Sequence, residues 1–119
     1  MQDFTQLKVW QKAHNFTVNL YKITSSFPNQ EKFHLTNQIR RASVSIESNI
    51  SEGCGRNGDK EFSRFLDIAQ GSAYEVKCQI LIARDLGYLD NNKSQLLTEK
   101  IDEISKMINA FNQKLKAKS

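Results

Sequence analysis

Few stretches of this chain hold residue types that could do chemistry. Glu31-Lys32-Phe33-His34 has the Glu-x-x-His spacing that turns a carboxylate and an imidazole toward one metal ion on a helix. A di-metal bundle site needs that motif twice, with two further inward carboxylates. His14 is the only other histidine, and no glutamate stands three residues before it. Cys54 and Cys78 lack Cys-x-x-Cys spacing, so neither a zinc site nor a disulfide framework is indicated, and a reduced cytoplasm is the expected compartment. No Ser/His/Asp or Cys/His arrangement stands out. The chain is therefore expected to be no enzyme and to hold no metal or cofactor.

Phosphate binding has a broader basis. Lysine and arginine total 17 against 13 carboxylates, a formal charge of +4 that permits an anionic partner. Arg56 and Lys60 flank a glycine-containing connection, Cys54-Gly55-Arg56-Asn57-Gly58-Asp59, that leads into a helix start, where free backbone N–H groups favour anions. Lys114, Lys116 and Lys118 form a basic tail, which also suits the negative end of a helix dipole. With Lys8, Lys12 and Arg40 these make eight candidate contacts to RNA or DNA. Tyr21 and Tyr88 offer stacking surfaces, without any RNA-recognition motif around them.

The elements that must position these groups are helices. One proline, five glycines and 39% apolar residues over 119 positions fit a single all-helical domain. Val9, Ala13, Phe16, Leu20, Ile23 and Phe27 share a face, predicting a first helix over about residues 7–26, ended by Pro28. Leu35, Ile39, Ala42, Ile46 and Ile50 predict a second over 31–53, with Gly53 as its left-handed stop. Phe62, Phe65, Leu66, Ala69, Ala73, Val76, Ile80 and Ala83 predict a third over 59–86, the longest, closed by Gly87; Gly58 or Asp59 would cap it, with Glu61 reaching back. Gly71 is expected to admit a closely packed helix. Leu97, Ile101, Ile104, Ile108, Phe111 and Leu115 predict a fourth over 92–116, capped by Asp90, Asn91 or Asn92. Short loops between four amphipathic helices give an antiparallel up-down-up-down four-helix bundle. Asp3 near the start, and no run of apolar residues long enough to span a bilayer, argue against secretion and membrane insertion.

Two polar strips run beside the core stripes. Gln38, Arg41, Ser45, Asn49 and Glu52 lie along the second helix, and Glu61, Arg64, Ile68, Ser72 and Glu75 along the third. They are expected to face each other as a polar seam, with Arg41 and Arg64 in buried ion pairs to Glu52, Glu61 and Glu75 that fix register or subunit choice. Trp10, Thr17 and Tyr21 form another strip on the first helix. That strip either caps the core or joins a subunit interface, where Trp and Tyr are enriched.

These residues resemble a known family, the four-helix-bundle proteins encoded in intervening sequences of bacterial 23S rRNA genes. The matching motifs are Leu7-Lys8-Val9-Trp10-Gln11-Lys12-Ala13, Phe27-Pro28 with Glu31, and Gln38-Ile39-Arg40-Arg41-Ala42 through Ser45-Ile46, Asn49-Ile50 and Glu52-Gly53. They continue with Glu61-Phe62, Arg64-Phe65-Leu66, Ile68-Ala69, Gly71-Ser72, Glu75 and Leu86-Gly87-Tyr88-Leu89. Gly58 stands where Ser would often start the third helix, and Ala73 replaces a bulkier residue. The resemblance implies a homopentameric ring, similar also to accessory proteins of diversity-generating retroelements, and no catalytic residue. It implies nucleic-acid or nucleoprotein binding by a basic ring; the rival expectation is an oligomeric scaffold that docks another protein.

Overall fold

In the computed structural model, residues 3–118 are described. A 3-10 turn at Phe4–Gln6 precedes α1, Lys8–Thr24; a second at Asn29–Glu31 precedes α2, Leu35–Cys54; then come α3, Asp59–Asp85, and α4, Asn91–Lys118. No strand is present among the described residues. The helices form a rod of 45 × 22 × 20 Å, and none is long and apolar enough to cross a membrane.

Cross-helix contacts fix the topology. Thr17 meets Ser43 while Thr24 meets Arg40, so α1 and α2 run in opposite directions. Gly53 lies against Phe62 and Phe65 while Ser45 meets Ser72, which does the same for α2 and α3. Asn112 pairs with Ser63 and Asp102 with Lys77, placing α4 antiparallel to α3. Lys12 reaches Glu103, closing the ring of neighbours between α1 and α4. The predicted bundle is the one observed.

Its core is assembled from the predicted stripes. Leu20, Ile39, Ile46, Ile50, Leu66, Val76, Ile80, Leu97 and Ile108 are buried completely, each stabilising the fold by about 1.5–3 kcal/mol on leaving water. Alanines 69, 73 and 83 let α3 sit close to its neighbours. The helix ends follow from local chemistry. Ser25 and Ser26 hydroxyls donate to the carbonyls of Lys22 and Ile23, and Pro28 pushes the preceding residue out of helical geometry. Gly87 adopts φ +81°, so Tyr88 N–H donates to Ala83 O at 2.9 Å and Gly87 N–H to Arg84 O at 3.0 Å. That is the Schellman closure expected of a glycine just past a helix end. Asp90 caps α4, its carboxylate accepting from Lys93 N–H at 2.7 Å.

Five details differ from the sequence reading. α2 begins at Leu35 rather than 31, because Asn29–Glu31 closes separately as a 3-10 turn. α4, at 28 residues, is one longer than α3. Gly58 caps α3 through its backbone alone, at φ +91°, while Glu61 turns to Arg64 instead of reaching back. Gly53 does not stop α2. It lies buried inside the helix, and the chain turns one residue after Cys54, at Gly55 with φ −84°. A Cβ on Gly53 would fall 2.8 Å from Phe65 Cβ and 2.9 Å from Phe62 Cδ1, so its missing side chain is what lets α3 approach. Gly71, assigned that role in advance, is exposed with nothing within 4 Å of where its Cβ would lie.

Candidate nucleic-acid interface and polar seam

The two predicted strips do meet, through their smallest members. Ser45 and Ser72 share a hydrogen bond of 2.9 Å, and Asn49 donates to Ser45 O at 2.8 Å and to its hydroxyl at 3.0 Å. Beside them lies a groove of about 310 Å³ lined by Gln38, Arg41, Ala42, Ser45, Ser72 and Glu75. Gln79 donates to Glu75 at 3.3 Å. The expected buried ion pairs are not formed. Arg64 binds Glu61 within α3 at 3.0 Å with both side chains about half exposed, and Glu52 pairs with Arg56 at 3.5 Å. Arg41 is exposed and makes no ion pair among the described residues. Close contact through Gly53 and two serines leaves the long charged side chains at the rim, where water spares them the desolvation cost of burial.

The α1 strip closes on α2. Thr17 and Ser43 hydroxyls, both buried, share a hydrogen bond of 2.6 Å, and His14 Nδ1–H donates to Glu47 at 2.8 Å. Trp10, half-buried, packs against the core, lying edge-on to Phe4 and stacking on the His14 ring at 4.8 Å. Tyr21 carries the Arg40 guanidinium 4.6 Å above its ring. This second seam was missed in the sequence; its signal is the pair of small hydroxyl residues, Thr17 and Ser43, bordering the apolar stripes.

Six of the eight candidate cations collect at one end of the bundle, where α1 begins, α2 turns into α3 and α4 finishes. They are Lys8, Arg56, Lys60, Lys114, Lys116 and Lys118, all exposed. Lys12 lies one turn further along α1, bound to Glu103 at 2.6 Å. Arg40 is not part of the group: it lies toward the opposite end, donating to Tyr21 O at 3.0 Å and Thr24 Oγ1 at 2.9 Å, a brace between α1 and α2. Carboxylates engage two of the six, Glu52 at Arg56 and Asp67 at Lys116, the latter at 4.0 Å. Lys8, Lys60, Lys114 and Lys118 make no ion pair among the described residues. Arg56 and Arg64 sit 5.2 Å and 4.7 Å over the Phe65 ring, which holds both guanidiniums beside the α2–α3 turn.

The titrating groups follow these pairs. The Arg64 hydrogen bond holds the Glu61 carboxyl below its ordinary 4.5, and Lys12 does the same for Glu103. Glu31, accepting from Tyr88 O–H at 2.8 Å, raises that phenol above its ordinary 10.0. For the two carboxylates the folded pKa lies under the unfolded one, so their stabilisation is full above pH 4.5 and is lost as the pH falls through the lowered values. The tyrosine works in the opposite direction, its contribution disappearing as the pH climbs past 10.0. Urea titrations across pH should therefore give a shallow acid shoulder, abolished in part by Glu103→Gln, and an alkaline one abolished by Tyr88→Phe. The two carboxylate pairs are about half exposed and the tyrosine pair is part-buried, so the acid shoulder should be the smaller.

Glu31 spends its oxygens on Tyr88 and on the Leu35 N–H, tying the start of α2 to the α3–α4 turn. Among the described residues no cluster of three or more His, Cys, Asp or Glu could hold a metal ion. Cys54 and Cys78 form no disulfide among the described residues, and burial raises the Cys54 thiol, which keeps it protonated.

Fold and geometry together define an antiparallel four-helix bundle whose polar chemistry lies in its helix seams and at one basic end. The chain belongs to the 23S rRNA-intervening sequence protein family, whose profile it matches over residues 5–110. It is similar to a solved structure of a protein with unknown function from the S23 ribosomal protein family of Bacteroides thetaiotaomicron, at 26% identity and a TM-score of 0.78. That likeness covers 87% of this chain and 97% of the other. No curated protein matches the chain.

Proposed function

We propose that this protein is a non-enzymatic, homo-oligomeric bundle that holds RNA or DNA on its basic end, assembled as a pentamer in the reducing cytoplasm. The observation that carries it is the gathering of Lys8, Arg56, Lys60, Lys114, Lys116 and Lys118 at one end of the rod. A single chain at +4 attracts a polyanion weakly, whereas five copies at +4 each would present +20 to one strand. Self-association is supported by apolar surface on two faces: Ile68, Tyr74 and Ile82 on the outer side of α3, and Val18, Tyr21 and Val44 over the α1–α2 seam. Two different patches on one chain suit the head-to-tail contacts that close rings.

The α3 face also favours a second reading, an oligomeric scaffold that docks another protein without touching nucleic acid. Light scattering for solution mass, followed by RNA and DNA binding at low and moderate salt, separates the two. A pentamer whose affinity falls steeply with salt is the expected result, since each phosphate contact releases counterions. A pentamer indifferent to both polymers makes the protein a scaffold, and a monomer removes the assembly on which both readings rest.

A further inference from the structure

The seam between α1 and α4 is an open furrow. Two grooves follow one another along it, of about 280 and 320 Å³. On the α4 wall stand Lys100, Met107 and Lys114, seven residues apart and so on one stripe, about 10 Å of helix rise between each. On the α1 wall stand Lys8 and Lys12, one turn apart. The only carboxylate in either lining is Glu103, and Lys12 engages it. Lys8, Lys100 and Lys114 make no ion pair among the described residues. Between the lysines the floor is apolar, formed by Val9, Met107, Ala110 and Phe111, with the Phe111 ring half-buried against Phe62.

Cationic walls over an apolar, aromatic floor select a ligand that is both anionic and flat-faced. We propose that the α1–α4 furrow holds single-stranded nucleic acid, with phosphates on Lys8, Lys100 and Lys114 and bases laid on Met107 and Phe111. This rests on the reading that the ligand is a nucleic acid, and adds its strand state and its path. Neighbouring helices pack with axes about 8–10 Å apart, and the furrow between them is too narrow for a duplex whose major groove alone is about 12 Å wide. An unpaired strand fits, because its bases can leave their stack and lie on apolar side chains while the backbone stays with the lysines. The furrow opens onto the basic end, where Lys8 and Lys114 belong to both.

Fluorescence anisotropy on the full chain tests this, with labelled oligouridylate and a random-sequence duplex as probes. Oligouridylate should bind at least about tenfold tighter than duplex. Lys8→Gln with Lys114→Gln should weaken oligouridylate binding about tenfold and flatten the log–log salt slope by about 1.4, two contacts at roughly 0.7 each for single strands. Ala110→Glu removes no cation and sits at an exposed position of the floor. It should cause a comparable loss with an unchanged melting curve. If both variants keep oligouridylate affinity while Arg56→Gln with Lys60→Gln loses it, the strand lies at the α2–α3 turn; the furrow is then wrong and the basic-end reading stands. Displacement of oligouridylate by polyglutamate at equal concentration would make the furrow a site for acidic protein and overturn the proposal. Wild-type protein that binds neither probe sinks both this proposal and the function beneath it.

Discussion

Gly53→Val is expected to destabilise the bundle by about 3 kcal/mol, lowering the melting midpoint by roughly 10 °C for a domain of this size. The added Cβ would arrive 2.8 Å from Phe65 Cβ, an atom fixed to the α3 backbone, and 2.9 Å from Phe62 Cδ1. Neither contact can be relieved by turning a side-chain tip. α3 must move away from α2, and that movement would loosen the Ser45–Ser72 hydrogen bond two turns along. Gly53→Ala should show the same conflict in milder form, its clash partly offset by alanine's helical preference of about 1 kcal/mol. The internal control is Gly71, also inside a helix but facing open space. Gly71→Ala should stabilise by about 0.5–1 kcal/mol. Opposite signs at two helical glycines, read by urea unfolding, would establish that close approach rather than propensity governs Gly53; a tolerated valine at Gly53 would contradict the packing described.

The two glycines also mark what a sequence can and cannot convey. Helical periodicity located all four core stripes, since Leu35, Ile39, Ala42, Ile46 and Ile50, for example, are each buried. Gly87 was legible because a left-handed closure is a local event, decided by the residues on either side. Gly53 and Gly71 could not be told apart, because which glycine meets another helix depends on the rotation of α2 against α3, and both fall within helices. The same rotation decided the polar seam. Ser45 and Ser72 meet in the seam, whereas Arg41, one turn from Ser45, and Arg64, two turns from Ser72, lie at the rim. Basic residues at the two chain ends and in the α2–α3 turn could be listed from sequence but not assembled. Only the antiparallel topology brings Lys8, Lys60 and Lys118 to one end and sends Arg40 toward the other. The furrow had a faint signature, the seven-residue spacing of Lys100, Met107 and Lys114 beside the α4 core stripe, which gains meaning once α1 is known to lie alongside.

Reversing Lys60 and Lys118 to glutamate is expected to reduce nucleic-acid affinity by roughly 100-fold at low salt. Both side chains are exposed at the basic end without an ion pair among the described residues, so no structural contact is lost with them. Their effects on the helices oppose each other. Glutamate near the start of α3 complements the positive end of that dipole, glutamate at the end of α4 meets the negative end of its own, and stability should stay within about 0.5 kcal/mol. Each reversal changes the charge by two, so the pair takes the chain from +4 to zero. Net charge alone could then explain weaker binding, and Lys22→Glu with Lys93→Glu supplies the control. It brings the chain to the same zero charge at the opposite end, where α1 finishes and α4 begins. Long-range attraction falls off over about 10 Å at moderate salt, so the far pair should lose most of its influence as salt rises while the near pair keeps its own. Equal losses from both variants at every salt concentration would mean that the polymer responds to the whole molecule's charge, and the basic end would cease to be a binding surface.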